Sequence, residues 1–161
     1  PDEARSAGLL HDLGLLWLNE YGEQYGRVLA DAIDRSLSLA AGMEARGFIF
    51  AAPVALKLGA GFVPVRKPGK LPGDLYVEQF ALEYGHETLT IKTDAVLPGA
   101  RVLVIDDVLA TGGTIGATAE LIKRQGAELV HVAVLMELGF LGGRERLARA
   151  GVDTLSAVVT V

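Results

Sequence analysis

Residues 101–114 read Arg-Val-Leu-Val-Ile-Asp-Asp-Val-Leu-Ala-Thr-Gly-Gly-Thr, and the fold class follows from this stretch. Val102 to Ile105 is an unbroken β-branched and leucine run, the composition of a strand buried on both faces. Asp106 and Asp107 come next, followed by the loop Val108 to Thr114. From Thr114 to Gln125 the residues Ile115, Thr118, Ala119 and Ile122 recur on one helical face, and Gly126 ends the helix. Val130 to Leu135 is a second buried strand. Strands that alternate with helices in this way imply an α/β protein with a mostly parallel central sheet flanked by helices and joined by right-handed crossovers.

Upstream, Tyr25, Val28, Leu29, Ala32 and Ile33 mark one face of a helix running roughly from Glu23 to Arg35. Leu37 to Ala41 is short enough for a strand, and Gly42 to Gly47 is a loop bracketed by glycines. Phe48 to Leu58 reads as a helix closed by Gly59, with Pro53 tolerable only near its first turn. Phe62 to Val65 is another short strand. Residues 66–74 combine Pro68, Gly69, Pro72 and Gly73 with Arg66, Lys67 and Lys70, which suits a mobile basic loop and neither a helix nor a central strand. Tyr76 to Phe80 and Glu87 to Thr93 pair as a flap around Tyr84-Gly85-His86. Gly143 to Ala150 is a short charged helix, and Val152 to Val161 a terminal strand region.

Composition bounds the function. A chain of 161 residues is one domain on length alone, and an apolar fraction of 50% allows a sizeable, mainly aliphatic core. The absence of cysteine removes disulfides, thiolate metal sites and thiol nucleophiles, and suits a cytoplasmic setting. A net charge of −5 disfavours nucleic acid as a partner. No apolar run approaches the roughly 20 residues of a membrane span.

The loop after the Val102 strand carries the chemistry. Ligands of open α/β sheets bind outside the carboxyl ends of the strands. The following helix offers unsatisfied N–H groups and a partial positive charge, which together seat a phosphate. Gly112 and Gly113 let the backbone approach the anion, and Thr111 and Thr114 add hydroxyl donors. No lysine follows the glycines and there is no G-x-G-x-x-G, so neither a nucleoside-triphosphatase loop nor a dinucleotide fingerprint is present. The two carboxylates, read as acceptor-only groups, suit the vicinal hydroxyls of a ribose. A ribose 5-phosphate fits the ensemble.

Val102 to Thr114 resembles the phosphoribosyl-diphosphate motif of type I phosphoribosyltransferases, and Ala110-Thr-Gly-Gly-Thr114 has the wording of the adenine-specific members. Gly42 to Phe48, Val65 to Pro72 and Leu82 to Gly85 match further motifs of that family in the same order, so the resemblance covers about residues 39–149. It implies the family's fold over 1–161, with a small N-terminal hood (1–22), a core (23–161) and a flexible loop at about 66–90. It implies transfer of a phosphoribosyl group from phosphoribosyl diphosphate to adenine, giving AMP and pyrophosphate, in a homodimer. Magnesium, which binds diphosphate and ribose oxygens while keeping water, suits this chemistry without a dedicated protein cage.

The same resemblance implies residue roles. Asp106, Asp107, Ala110, Thr111, Gly112, Gly113 and Thr114 hold the ribose and its phosphate. Glu44, Ala45 and Arg46, with a cis peptide between Glu44 and Ala45, receive the diphosphate together with Arg66, Lys67 and Lys70. Glu83 handles a proton on the purine, Tyr84 covers the site, and Arg66 belongs to the catalytic set. Val108 packs on the base. The N-terminus departs from the family pattern: Ala7 to Leu16 lacks the aromatic that helps to form the base pocket, leaving Leu10 or His11 to cover the base. A phosphoribosyltransferase for another purine such as xanthine, or a regulator that binds phosphoribosyl diphosphate, are the alternatives.

Overall fold

The structure is a computed structural model that describes residues 37–81 and 85–161. The expected helix over roughly 23–35 and the N-terminal hood lie outside these residues. The central sheet has five strands: β1 (Leu39–Met43), β2 (Gly61–Val65), β5 (Arg101–Leu109), β6 (Glu128–Glu137) and β7 (Leu155–Thr160), in the order β2-β1-β5-β6-β7. Every neighbouring pair in it is parallel. Strands β3 (Leu75–Ala81) and β4 (His86–Lys92) form the expected antiparallel hairpin, with Ala81 opposite His86. The helices are α1 (Gly47–Leu58), α2 (Gly113–Arg124) and α3 (Gly143–Arg149).

Alternation along the strands sends successive side chains to opposite sides. Ala40, Leu103, Ile105 and Ala133 pack with Ala51, Val54 and Ala55 of α1 on one side. Ala41, Met43, Val102, Val104, Val132 and Val134 form the larger core on the other, with Ile115, Leu121 and Ile122 of α2, Leu147 of α3, and Phe80, Leu89 and Ile91 of the hairpin. The central strands are therefore buried on both faces, which is why they read as continuous apolar runs. The hairpin is anchored at its base, where the amides of Arg66 and Thr90 donate reciprocally to each other's carbonyls at 2.9 and 2.7 Å.

Three local expectations are corrected. β5 does not end at Ile105. It continues through Asp106, Asp107, Val108 and Leu109 because Asp106, Val108 and Leu109 pair with Val134, Met136 and Glu137 of β6, shortening the loop to Ala110–Gly112. β1 reaches Met43, paired with Val65, so the glycine-bracketed loop contracts to the turn Glu44–Arg46. Pro53 sits in the middle of α1 and not in its first turn. The proline lacks an amide hydrogen, so α1 forgoes one ladder bond there while Ala51, Val54 and Ala55 still bury its apolar face. Within the helix of 113–124, Ala117 and Leu121 join the buried face and Ala119 is only partly covered. Among the described residues, no helix is long and apolar enough to cross a membrane.

Candidate active site

The chain leaves β1 towards β2 and leaves β5 towards β6, although β1 and β5 are neighbours. The carboxyl ends of those two strands therefore flank a topological switch point, where the diverging connections open a crevice. The turn Glu44–Arg46 follows β1, Arg66 and Lys67 follow β2, and Ala110–Thr114 follow β5. Segments far apart in sequence thus meet at one rim of the sheet.

The β5 loop wraps the start of α2. Gly112 is the N-cap with φ of 78°, a left-handed conformation that glycine adopts without steric cost, and no side chain caps the helix. The first helical bond joins the Gly116 amide to the Gly112 carbonyl at 2.9 Å. The amides of the first turn precede that ladder and stand at the positive end of the helix dipole, an arrangement suited to an anion. Residues 108–115 line a hollow of about 60 Å3 there. The loop is packed from behind: a Cβ on Gly113 would lie 2.9 Å from the Phe80 ring, and one on Gly112 would lie 2.9 Å from the Gly143 carbonyl oxygen.

Asp106 and Asp107 are adjacent but chemically distinct. Asp106 is only 8% exposed, and a Cβ on Gly47 would come within 2.9 Å of its Oδ1. Burial, with the neighbouring charge of Asp107 adding to it, pushes the Asp106 carboxyl up to about 8. Its charged form is disfavoured relative to that of an ordinary carboxylate. A carboxyl whose charged form is disfavoured in this way can hold a proton and so offer a donor as well as an acceptor. Asp106 Oδ1 accepts the Asp107 amide at 3.0 Å. Asp107 is ion-paired with Arg46, Nε to Oδ2 2.6 Å, across the crevice.

The cations are engaged in the same manner. The Glu44 carboxylate accepts from Arg66 Nε at 3.1 Å and from the Lys67 amide at 3.0 Å. Burial pushes the Glu44 carboxyl up, but these donors outweigh it and leave it below the usual value. Arg66 also donates to the Lys70 carbonyl at 3.3 Å and lies 5.9 Å from the centre of the Phe48 ring. Lys67 is ion-paired with Glu87, which raises its ammonium above the ordinary range. The peptide between Glu44 and Ala45 is cis. Val108 stands partly buried near the end of β5. Glu83, Tyr84, Leu10 and His11 lie outside the described residues.

Sequence reading missed the residues that support these loops. Phe80 and Gly143 press on the cradle, and Gly47 makes room for Asp106. Glu137 ends β6 almost fully buried and accepts Arg144 Nε at 2.9 Å and Nη2 at 2.5 Å. The adjacent glycines Gly142 and Gly143, just beyond the second buried strand, are the only local signal of a close backbone approach there.

Comparison with known proteins agrees with this geometry. The family model described as the phosphoribosyl transferase domain matches residues 30–154. An adenine phosphoribosyltransferase of Cutibacterium acnes is 62% identical over 133 residues, covering 83% of this chain and 75% of that protein. The crystal structure of adenine phosphoribosyltransferase from Thermoanaerobacter pseudethanolicus superposes with a TM-score of 0.79 at 43% identity, covering 89% of this chain and 84% of the other. The Trypanosoma brucei enzyme, solved with AMP, pyrophosphate and ribose-5-phosphate, superposes with a TM-score of 0.75 at 28% identity, covering 89% of this chain and 67% of the other. By its motifs, its switch-point crevice and these likenesses, the chain belongs to the type I phosphoribosyltransferase family, on the adenine phosphoribosyltransferase branch.

Proposed function

We propose that this chain transfers the 5-phosphoribosyl group of phosphoribosyl diphosphate to adenine, releasing AMP and pyrophosphate. The observation that carries this reading is the meeting, at one switch point, of a helix-capped phosphate cradle, the Asp106–Asp107 pair and the Arg46 turn. They are ordered as the parts of the substrate are ordered: 5-phosphate, ribose, diphosphate.

In the resting protein Arg46 and Asp107 hold each other. Arg46 is 65% exposed, and an ion pair so open to solvent contributes no more than about 1 kcal/mol. An arriving diphosphate therefore takes over Arg46 at small cost, and Asp107 turns to a ribose hydroxyl. Asp106, buried beside it with its charged form disfavoured, completes the ribose contacts. Glu44 belongs to the turn that receives the diphosphate. It holds Arg66 and the Lys67 amide beside the place where the diphosphate lies, while Lys70 offers a further cation. As the bond from C1′ to the diphosphate oxygen breaks, the purine N9 forms its bond to C1′ from the opposite side, and Glu83 accepts the proton that N9 loses. The departing charge stays with Arg46, Arg66 and Lys67. Catalysis rests on positioning and electrostatics with no covalent nucleophile.

Among the described residues, no group of three or more His, Asp or Glu side chains converges as a metal cage. With so few protein donors beside the ribose site, Mg2+ would be carried mainly by the substrate's own oxygens and water. When bound, Mg2+ neutralises diphosphate charge. The working unit is a homodimer, a reading supported by exposed apolar side chains such as Leu56, Leu58 and Phe62 along α1 and the edge strand β2.

Base choice is tested by competition between adenine, hypoxanthine, guanine and xanthine with phosphoribosyl diphosphate and Mg2+. Adenine is expected to show the highest kcat/KM, since a pocket built for its amino group leaves buried polar groups unpaired with a 6-oxopurine, at about 1–3 kcal/mol each. A higher specificity constant for any 6-oxopurine overturns the assignment of the base and leaves the phosphoribosyl site standing.

A further inference from the structure

The Glu137–Arg144 ion pair stands behind the phosphate cradle, outside the substrate crevice. Its carboxylate is buried at the end of β6 and held below the usual range by the Arg144 guanidinium, which grips it through both Nε and Nη2. The remaining nitrogen, Nη1, donates to the Leu155 carbonyl on β7 at 3.0 Å. One guanidinium thereby ties the start of α3 to two strands of the sheet. Arg144 directly follows Gly143, the residue in closest approach to the cradle: a Cβ at Gly143 would lie 2.2 Å from the Ala110 carbonyl oxygen. On the other side of the pair, Leu138 directly follows Glu137 and donates its amide to the Leu109 carbonyl at 2.9 Å. One turn further along α3, Leu147 is buried, and its Cγ lies 3.2 Å from where a Gly112 Cβ would stand. Leu109, Ala110 and Gly112 are thus each braced from below by a residue adjacent to, or one turn from, the ion pair.

We infer that Glu137 and Arg144 are positioning residues for the 5-phosphate: the pair locks the segment 138–147, and that segment sets the backbone of the cradle. The inference rests on the proposed function only in taking residues 110–114 as the phosphate seat. An anion site made of backbone amides depends on placement, because amides cannot reach for a ligand as a lysine can. A bidentate guanidinium–carboxylate pair also fixes geometry that a lysine cannot reproduce. The diphosphate turn Glu44–Arg46 follows a different strand and is held by Arg66, the Lys67 amide and Asp107 instead, so the pair acts chiefly on the phosphate end of the substrate.

Calorimetric titration of ribose 5-phosphate and of inorganic pyrophosphate into the full chain separates the two ends. In Arg144→Met, ribose 5-phosphate binding is expected to weaken by roughly tenfold or more, the scale of one lost charge-assisted placement, while pyrophosphate binding stays within about twofold. Arg144→Lys, which keeps the charge and loses the fork, is expected to weaken ribose 5-phosphate selectively by a smaller factor, and it decides the matter if the methionine variant does not fold. In steady state, KM for phosphoribosyl diphosphate should rise while KM for adenine holds. Unchanged ribose 5-phosphate affinity in a folded variant overturns the inference, as does an equal loss for both probes, which marks general loosening. Failure of the unmodified protein to bind ribose 5-phosphate would instead remove the phosphate seat itself.

Discussion

Asp106 and Asp107 show how two identical residues side by side come to different states. Asp107 is ion-paired with Arg46, whereas the fold buries Asp106 next to another carboxylate and so disfavours its charged form. The two amide substitutions should therefore differ. Asp107→Asn removes the partner of Arg46 and is expected to lower kcat/KM for phosphoribosyl diphosphate by about 1.5–3 kcal/mol, whereas Asp106→Asn replaces a carboxyl whose charged form is already disfavoured and costs less. Steady-state kinetics with the opposite ranking would show the charge assigned to the wrong residue. Stability provides a second readout. The native state holds a proton on Asp106 that the unfolded chain, with a value near 3.8, releases. Native stability therefore falls as pH rises through the interval from about 4 to 8. Asparagine binds no proton in either state, so the thermal midpoint of Asp106→Asn should gain on the unmodified protein as pH goes from 5 to 8. A difference that stays constant, or shrinks, over that range counts against a buried neutral carboxyl.

The elements divide the labour of the site. β1 and β5 deliver the turn and the carboxylates, α2 supplies the dipole and the first-turn amides, and the hairpin lays Phe80 on the first residue of α2. The hairpin is tied at the other end of α2 as well, where Arg124 donates to the Val77 carbonyl at 2.8 Å and pairs with Glu78 at 2.5 Å. Gly113 sits where helix, cradle and hairpin meet. Gly113→Val places branched carbons against a Phe80 ring already 2.9 Å from the Cβ position, so Phe80 or the cradle must yield. AMP titrated into the folded variant is expected to bind at least about tenfold more weakly than to the unmodified protein. Wild-type affinity there would mean that the cradle tolerates displacement, contrary to a site built of backbone amides.

For the whole molecule, the described surface leaves large apolar side chains open at several places, two of which stand out. Leu56 is 84% exposed near the end of α1, close to Leu58 and Phe62, and Phe140 is 76% exposed beside Leu141 in the short turn after β6. Apolar groups gathered in this way commonly mark an interface. Multi-angle light scattering at micromolar concentration should therefore give the mass of two chains. A stable single-chain mass would contradict the homodimer.

Sequence and tertiary structure contributed different things, and the division follows the range of the forces involved. The apolar run 102–105, the helical spacing after Thr114 and the paired glycines are local signals, so the α/β class, the parallel sheet and the glycine loop that opens the helix could be read from residues 101–135. The order of the motifs carried the family. The end of β5 could not be read, because Asp106 to Leu109 become strand only when β6 pairs with them. The state of Asp106 was equally hidden, since burial and the approach of Gly47 belong to the assembled fold and not to the dipeptide. Arg46 and Asp107 look like independent ligands in the chain; only the adjacency of β1 and β5 makes them partners. The brace of Gly143 and Arg144 behind the phosphate loop is likewise a product of packing. Local composition sets which backbone shapes are favourable, while charge state, pairing and support depend on distances that exist only after distant segments have come together.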